Sequence, residues 1–186
     1  MEKVLNKKVV YKGRVLRVVE KEIDFGNGRM GTWETMFTDP AEGVSILGVD
    51  TQENVYLIRQ FKGGTETRMI HLPSGSVPTG VTPQAQAAAE FQEETGYHAG
   101  KLTQLITTRS NPGYTDAKGY LFLAEDLTHK PIARDETEDT ELVIMTFSEA
   151  LEKALKGEIE DQRTIIALLL FEKLKKSTAT NALAHE

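Results

Sequence analysis

Short apolar runs separated by polar turns dominate most of the chain, and they predict β-strands. Val15 to Phe25 is rich in β-branched residues and ends at Gly26-Asn27-Gly28, after which strand-like composition resumes. Because Asn-Gly favours the tight turns that join antiparallel strands, this pattern predicts a β-hairpin. Polar residues 50–54 separate two further runs that read as adjacent core strands. The predicted strands are 15–25, 32–37, 44–49, 55–61, 69–72, 102–108, 119–124 and 142–147.

Three segments have the apolar spacing of helices. The first covers about Pro83 to Thr95, with Thr82 as N-cap, Pro83 in the first turn and Gly96 as a left-handed stop. The second starts after Ser148 and stops at Gly157, and the third covers about 162–176. In the first helix the pattern turns Ala87, Ala88 and Phe91 to the core and Gln86, Glu90, Glu93 and Glu94 away from it. In the third helix the predicted buried stripe is Ile165, Ile166, Leu169, Leu170 and Leu174.

Composition narrows the function classes. The 186 residues suit one domain, and mixed strands and helices with this spacing imply an α/β sandwich. A net charge of −6 argues against a protein that grips nucleic acid. With no cysteine there is no disulfide, thiolate nucleophile or Cys-type zinc site, and the four histidines lack metal-ligand spacing. The N-terminus has no apolar signal core and no apolar run approaches a membrane span, so we expect a cytoplasmic protein without membrane contact.

Three carboxylates on the first helix carry the strongest chemical signal. Glu90, Glu93 and Glu94 are three and four residues apart, so they share a helix face and repel one another unless a cation lies between them. The preceding segment 72–80 contains Gly75 and Gly80, and its backbone carbonyls can complete an oxygen shell. Magnesium suits such a site because it binds few carboxylates and takes further ligands from phosphates. The alternative is a solvated helix face.

The segment from Gly75 to Tyr97 resembles the Nudix box, G-x5-E-x7-R-E-U-x-E-E-x-G-U, where U is apolar. Two positions depart from the pattern: Val81 stands in place of Glu, and Ala89 in place of Arg. An arginine at 89 would lie one turn before Glu93 and could pair with it, so its absence removes a support for that carboxylate. The residues in register are Gly75, Glu90, Phe91, Glu93, Glu94, Gly96 and Tyr97.

The resemblance extends over about residues 10–172 and is to the ADP-ribose and nucleoside diphosphate sugar pyrophosphatases. Segments 56–62 and 72–75 are similar to the region before the box in that branch, and 109–116 to its Ser-Pro-Gly loop. Segment 135–139 is similar to the acidic loop that carries the catalytic base, and 157–164 to the entry of the last helix. His71 stands where the branch often has Glu.

This resemblance implies a fold and an organisation. The fold is a Nudix-type α/β/α sandwich with a mixed central sheet and an N-terminal antiparallel β extension. The extension, residues 1–40, is expected to cross to the other subunit of a homodimer. Residues 41–176 would form the Nudix hydrolase domain and 177–186 a flexible tail.

The resemblance also implies a reaction: hydrolysis of the diphosphate bridge of nucleoside diphosphate sugars to a nucleoside monophosphate and a sugar phosphate. Mg²⁺, for which Mn²⁺ is a possible substitute, would be held by Glu90, Glu93, Glu94 and the Ser74 carbonyl. Glu138 is the expected base, with Glu136 as runner-up. The predicted substrate-binding residues are Arg59, Arg68, Trp33, Phe37, Pro112, Gly113, Asp161 and Arg163.

Several of these residues have a second interpretation. Arg59 and Arg68 are either ordinary strand-end charges or bidentate diphosphate ligands. Asp161 either caps the last helix or, with Arg163, echoes an Asp-x-Lys feature of nucleotide-sugar hydrolases. Trp33 and Phe37 either pack in a sheet or stack on the base. A pseudoenzyme that senses nucleotide sugars and a structural dimerisation module remain alternatives for the whole chain.

Overall fold

The computed structural model describes residues 1–132 and 139–183, with side chains through residue 177. The described residues form ten strands and three helices. In chain order they are β1 Lys3–Lys12, β2 Leu16–Asp24, β3 Met30–Thr38, β4 Glu42–Val49, β5 Asn54–Lys62, β6 Thr67–His71, β7 Ser74–Ser76, α1 Pro83–Thr95, β8 Tyr97–Arg109, β9 Lys118–His129, β10 Thr140–Thr146, α2 Phe147–Leu155 and α3 Gln162–Leu183.

The N-terminal part is a three-stranded antiparallel sheet in the order β1-β2-β3. Strands β2 and β3 form the predicted hairpin, with Asp24 opposite Met30 and positive φ at Gly26, Asn27 and Gly28 in the turn. Strand β1 was not predicted, because lysines interrupt its apolar residues and leave no regular alternation.

The remaining seven strands form a mixed sheet in the order β10-β5-β4-β9-β8, with β6 paired to β5 and β7 paired to β4. The β4 and β9 strands run parallel, and the other pairs are antiparallel. The predicted mixed sheet with an N-terminal antiparallel extension is therefore confirmed. Strand β7 has only three residues and was too short to predict.

Helices cover both faces of the seven-stranded sheet. On one face Phe91 of α1 packs with Val44 and Ile46 of β4. On the other face α2 and α3 pack on Leu57 and their neighbours. A side-chain Cβ at Gly48 would lie 2.4 Å from the Phe91 ring, so this glycine allows α1 its close approach. The predicted α/β/α sandwich is confirmed.

Both ends of α1 and the start of α2 test the capping predictions. In α1 the Thr82 hydroxyl accepts a hydrogen bond from the Ala85 N–H at 3.2 Å, and Gly96 has a φ of 78°, as predicted. Helix α2 starts earlier than predicted, because its cap is Thr146, whose hydroxyl accepts from the Glu149 N–H at 3.2 Å, and not Ser148.

Helix α3 differs from its prediction in length and rotation. It runs to Leu183, so the described part of the predicted tail is helical. Thr164 is buried because its hydroxyl accepts from the Leu72 N–H and donates to Asp161, and this anchor turns Ala167 and Leu168 to the core. Leu169 and Leu174, predicted to be buried, are exposed. No helix within 1–132 or 139–183 is long and apolar enough to span a membrane.

Candidate functional site

The Glu90 carboxylate lies directly on the backbone of Gly75. Strand β7 pairs with β4 through Val44 and Gly75, which brings this glycine under α1. A Cβ at residue 75 would lie 1.7 Å from Glu90 Oε1, so only glycine leaves room for the carboxylate. Gln86 Nε2 also donates a hydrogen bond to Glu90 Oε1 at 2.7 Å. Because it has no side chain, Gly75 leaves a space on β7 that the Glu90 carboxylate of α1 occupies, and we call this space the Gly75 cradle.

Glu94 is turned inward, contrary to the predicted outward orientation. Its side chain is 4% exposed, and the Ser74 N–H donates a hydrogen bond to Glu94 Oε2 at 2.7 Å. Such a charge-assisted bond offsets part of the cost of burying a carboxylate. Glu94 thus contacts Ser74, and Glu90 contacts the next residue, Gly75.

Glu93 lies apart from these two carboxylates. It is exposed, and residue 89, one turn earlier, is an alanine that cannot pair with it. Within the part of the chain that the structure describes, Asp, Glu, His and Cys side chains form no group of three or more that is already arranged around one metal position. Glu90 and Glu94, which both contact β7, therefore form the core of the site, whereas the Glu93 side chain is exposed to solvent.

A cavity of about 280 Å³ opens beside β7, and we call it the β7 cavity. Its walls combine the Ser74–Ser76 strand with the cations Lys118 and Arg163. Lys118 donates a hydrogen bond to the Tyr120 hydroxyl and lies 3.4 Å from Glu42 Oε1; these contacts raise its pKa. Sequence reasoning missed Lys118, because its position becomes meaningful only once β9 is paired with β4.

Asp161 and Arg163 meet at the first turn of α3. The Asp161 carboxylate caps the helix, accepting from the Thr164 N–H at 2.9 Å, which confirms the capping interpretation. Arg163 Nη2 lies 3.5 Å from Asp161 Oδ1. Burial opposes the charged form, yet the Arg163 charge and the Thr164 hydrogen bonds hold the pKa of Asp161 below its ordinary value. Asp161 therefore anchors Arg163 at the rim of the β7 cavity.

His71 is buried just before this strand. Its Nδ1–H donates to the Leu72 carbonyl at 2.7 Å, and its Nε2 has no hydrogen-bond partner in the described structure. Burial, together with the Lys62 charge, lowers the pKa of His71 to about 4. The imidazole is therefore neutral at physiological pH, so it does not replace the charge of the expected carboxylate.

Arg59 and Arg68 line a different cavity, of about 320 Å³, together with Glu158 and Glu160. Arg59 Nη1 lies 3.2 Å from Glu141 Oε2, and Arg68 forms a short ion pair with Asp139. Both pairs are substantially exposed and contribute little to stability. The two arginines line one cavity, separate from the β7 cavity, and their contact with a diphosphate stays a prediction.

Trp33 and Gly113 line a third cavity, of about 670 Å³. Tyr114 lines it too, although no sequence pattern singled this residue out. Phe37 lies elsewhere, under the Lys21 ammonium, which is 4.8 Å from the ring centroid. Pro112 is exposed in the loop that precedes Tyr114. Of the two predicted stacking aromatics, Trp33 lines this cavity and Phe37 does not.

The proposed bases, Glu136 and Glu138, lie outside the described residues. Asp139, at the end of the same acidic segment, is described and is exposed. Its contact with Arg68 lowers the pKa of Asp139. The assignment of a base in this segment stays a prediction.

Comparison with known proteins identifies the relatives of this arrangement. The model of the NUDIX domain matches residues 39–169. An ADP-ribose pyrophosphatase from Bacillus subtilis (strain 168) is 30% identical over 169 residues, covering 90% of each chain. A methanol dehydrogenase activator from Bacillus methanolicus is 28% identical over 169 residues, again covering 90% of each chain.

The same relationship is visible in three dimensions. The crystal structure of an ADP compounds hydrolase superposes with a TM-score of 0.83 at 25% sequence identity, covering 95% of both chains. Because coverage is nearly complete, the match includes the N-terminal sheet as well as the central sandwich. The predicted resemblance to the pyrophosphatase branch is confirmed.

Proposed function

This chain belongs to the Nudix family, and from that premise we propose that it hydrolyses the diphosphate bridge of nucleoside diphosphate sugars. The substrates would be ADP-ribose and UDP-, GDP- or ADP-linked sugars, and the products a nucleoside monophosphate and a sugar phosphate. The observation that carries the proposal is the approach of Glu90 and Glu94 to neighbouring residues of β7. The relative named ADP-ribose pyrophosphatase, which aligns over 90% of both chains, supports it.

The donor set fits a hard divalent cation. The Gly75 cradle holds one carboxylate and the Ser74 N–H holds another, and carboxylate oxygens are ligands that Mg²⁺ prefers. Glu90, Glu94, Glu93 and the Ser74 carbonyl would hold Mg²⁺, or Mn²⁺, which the same oxygen ligands accept. When bound, the metal would neutralise diphosphate oxygens and lower the pKa of a water molecule.

Other side chains around this site would contact the phosphates and accept a proton. Arg163, which pairs with Asp161 and lines the β7 cavity, would contact a phosphate there. Glu138, or Glu136, would take the proton from the attacking water. The water oxygen then bonds to phosphorus, the bridging P–O bond breaks, and its electron pair leaves with the other phosphate. Arg59 and Arg68 would contact the diphosphate in this proposal, exchanging their carboxylate partners for phosphate oxygens.

We also propose a homodimer, acting in the cytoplasm. Every residue of β1 is exposed, and five of its ten residues are apolar or aromatic. Exposed apolar patches of this kind mark protein interaction sites. The exposed apolar residues of the strand are Val4, Leu5, Val9, Val10 and Tyr11.

Glu94→Gln is the direct test of the function. Glutamine keeps an oxygen that can accept from the Ser74 N–H, so the fold is retained while the charge is lost. We expect at least a 100-fold lower kcat on ADP-ribose with Mg²⁺, measured as monophosphate release across a panel of UDP-, GDP- and ADP-sugars. The matched control is Glu149→Gln on α2, which should retain full activity. Undiminished turnover by Glu94→Gln would contradict the metal assignment.

A sensor that binds nucleotide sugars without turnover is the second candidate, favoured by the exposed Glu93 and the alanine at 89. It predicts saturable ADP-ribose binding by calorimetry with no monophosphate release at any Mg²⁺ or Mn²⁺ concentration. A purely structural dimerisation module predicts neither Mg²⁺ binding nor nucleotide binding. The two titrations and the turnover assay together separate all three functions.

A further inference from the structure

Gln86 contacts the Glu90 carboxylate from one turn earlier on α1. Its side-chain Nε2 donates a hydrogen bond to Glu90 Oε1 at 2.7 Å, across the four-residue spacing that places two side chains on one helix face. Because the acceptor is a carboxylate, this bond is stronger than a bond between two neutral groups. Both side chains are partly buried, so solvent competes less for the contact.

The Gly75 cradle allows this position of Glu90, and the Gln86 amide selects it. A glycine leaves room for a carboxylate without directing its oxygens, whereas a hydrogen bond has a preferred distance and angle. A Cβ at residue 75 would lie 1.7 Å from Glu90 Oε1 and 2.6 Å from Oε2, so Oε1 lies deepest in the cradle. The Gln86 amide bonds to this same oxygen. The space and the hydrogen bond therefore fix one atom of the carboxylate.

The first turns of α1 fix the backbone of Gln86. The Gln86 N–H donates to the Thr82 carbonyl at 3.0 Å, and the Thr82 hydroxyl caps the helix by accepting from the Ala85 N–H. Pro83 lies in the first turn, where its fixed φ favours the helix. The Gln86 side chain thus reaches Glu90 from a backbone that the cap and the proline already hold.

Neutral N–H groups contact both carboxylates that lie on β7. Glu94 accepts from the Ser74 N–H, and Glu90 accepts from the Gln86 amide. Helix α1 contains no lysine or arginine, and Ala89 stands where the box pattern has Arg. A cationic donor on the helix would neutralise a carboxylate and compete with a metal ion for it, whereas an amide carries no charge. These two hydrogen bonds therefore orient the carboxylates without neutralising them.

We propose that Gln86 positions Glu90 for metal binding: its amide holds the carboxylate in the Gly75 cradle without competing with the cation for charge. The inference rests on the metal site of the proposed function. It adds a residue to which the box pattern gives no role, since residues 82–88 fall in the unspecified x7 stretch. In this chain a glutamine four residues before Glu90 supports the carboxylate face, which lacks the arginine of the box pattern.

Gln86→Met removes the donor but keeps the length of the side chain and its preference for a helix. We would titrate the full-length chain by calorimetry with Mn²⁺ alone, because this ion accepts the same oxygen ligands as Mg²⁺. Residues that orient metal ligands typically change metal affinity by about 10- to 100-fold when they are replaced. Gln86→Met should therefore bind Mn²⁺ at least about tenfold more weakly than the parent chain.

The matched control is Gln84→Met. Gln84 is exposed on the same helix, so this variant makes the same chemical change away from the carboxylates and should bind Mn²⁺ as the parent chain does. If Gln84→Met weakens Mn²⁺ binding as much as Gln86→Met does, the loss does not come from the contact with Glu90, and the proposal is wrong.

Gln86→Lys tests whether the donor has to be neutral. The lysine ammonium can donate to Glu90 but also neutralises it, so Mn²⁺ should again bind at least about tenfold more weakly. An affinity equal to that of the parent chain would show that any donor suffices, which contradicts the proposal.

The Mg²⁺ dependence of turnover gives a readout that a merely structural role would not move. With ADP-ribose, the Mg²⁺ concentration for half-maximal rate should rise about tenfold in Gln86→Met, while kcat at saturating Mg²⁺ stays near the parent value. A lower kcat with an unchanged Mg²⁺ dependence would mean that the substitution acts by another route, and the positioning role would be refuted.

Metal binding and turnover fail separately. If the parent chain and Gln86→Met bind Mn²⁺ equally and both hydrolyse ADP-ribose, the role of Gln86 is wrong while the proposed function stands. If Gln86→Met binds Mn²⁺ more weakly but no nucleotide sugar is hydrolysed by the parent chain, the role of Gln86 stands and the hydrolase proposal is wrong. If the parent chain binds no Mn²⁺, the metal site and the role of Gln86 are both wrong.

Discussion

The two sheets of this chain differ in how deeply their apolar side chains are buried. Leu57, in the central sheet, is 0% exposed and is covered by helices, whereas Leu5, in the N-terminal sheet, is 55% exposed. The central sheet is complete within one chain, and its glycines and backbone N–H groups position the box carboxylates. The N-terminal sheet is covered by no helix among the described residues. Val19 and Ile23 of β2 are buried, but the apolar side chains of β1 and the Trp33 side chain of β3 are exposed and therefore available to a second subunit or a ligand.

Truncating one leucine in the core should give the largest effect. Leu57→Ala removes a fully buried side chain and leaves a cavity between β5 and the helices, so we expect the free energy of unfolding to fall by about 3 kcal/mol. Urea unfolding followed by circular dichroism measures the change, which should not depend on protein concentration. A loss below about 1 kcal/mol would show that the central sheet is not the self-sufficient unit described above.

Gly75→Ala should lower the activity while the fold persists, which distinguishes the catalytic role of the central sheet from its stability. The new Cβ would lie 1.7 Å from Glu90 Oε1, so the carboxylate must leave its cradle. A displacement of about 1 Å in a catalytic group costs on the order of 100-fold in rate, and we expect a kcat loss of that size on ADP-ribose.

The matched control for Gly75→Ala is Gly63→Ala. A Cβ at Gly63 would meet nothing within 4 Å, so this variant should keep its activity. Circular dichroism spectra of both variants check that the fold persists. Normal turnover by Gly75→Ala would mean that catalysis does not require Glu90 to occupy the Gly75 cradle.

The buried imidazole of the central sheet should give a pH-dependent effect. The pKa of His71 is about 4 in the folded chain and about 6.5 when unfolded, so between these values the unfolded state binds the extra proton. Stability is therefore lost as pH falls. From pH 7.5 to 4.5 this linkage amounts to about 2.5 kcal/mol, which His71→Gln should abolish.

Urea titrations at the two pH values measure the His71 effect as a difference between the parent chain and the variant. Lowered pKa values at Asp50 and Asp161 also reduce stability at low pH. The Asp50 contribution acts equally in both proteins, whereas His71 is one of the groups that lower the pKa of Asp161, so that smaller contribution changes with the substitution. The exposed His98→Gln controls for the loss of an imidazole. An identical pH dependence in the parent chain and His71→Gln would refute the buried neutral state.

Patterns within single elements were readable from the sequence. The Gly26-Asn27-Gly28 turn, the Thr82 cap and the Gly96 stop depend on neighbours close in the chain, and each is present. Local physical rules suffice for such features, because the residues that satisfy one another are already adjacent or one helical turn apart. Gly75 and Glu90 are fifteen positions apart, and they were singled out by the resemblance to the Nudix box and not by a local rule.

Features set by distant pairings were not readable. The inward turn of Glu94 depends on the N–H of Ser74, which belongs to a strand too short to give a periodic signal. The rotation of α3 follows from the Thr164 anchor on Leu72. Tyr114 reaches the cavity that it shares with Trp33 because its loop pairs with Met36 of β3. In each case a hydrogen bond between remote segments selected one of several locally acceptable arrangements.

The smallest effect on folding should come from the N-terminal sheet, where Leu5→Ala matches Leu57→Ala in chemistry. Because Leu5 is largely exposed in the single chain, we expect the free energy of unfolding to change by no more than about 0.5 kcal/mol at low protein concentration. At high concentration the proposed dimer would bury this side chain, and the cost would then appear as weaker association.

Sedimentation equilibrium of the parent chain, Leu5→Ala and Leu5→Glu separates these contributions. The dimer dissociation constant should rise with Leu5→Ala and more strongly with Leu5→Glu, since a buried unpaired charge opposes association. The monomers of all three proteins should show the same folded spectrum. If Leu5→Glu dimerises like the parent chain, the exposed face of β1 is not the subunit contact, and the contrast between the two sheets would then have to be explained by a different partner.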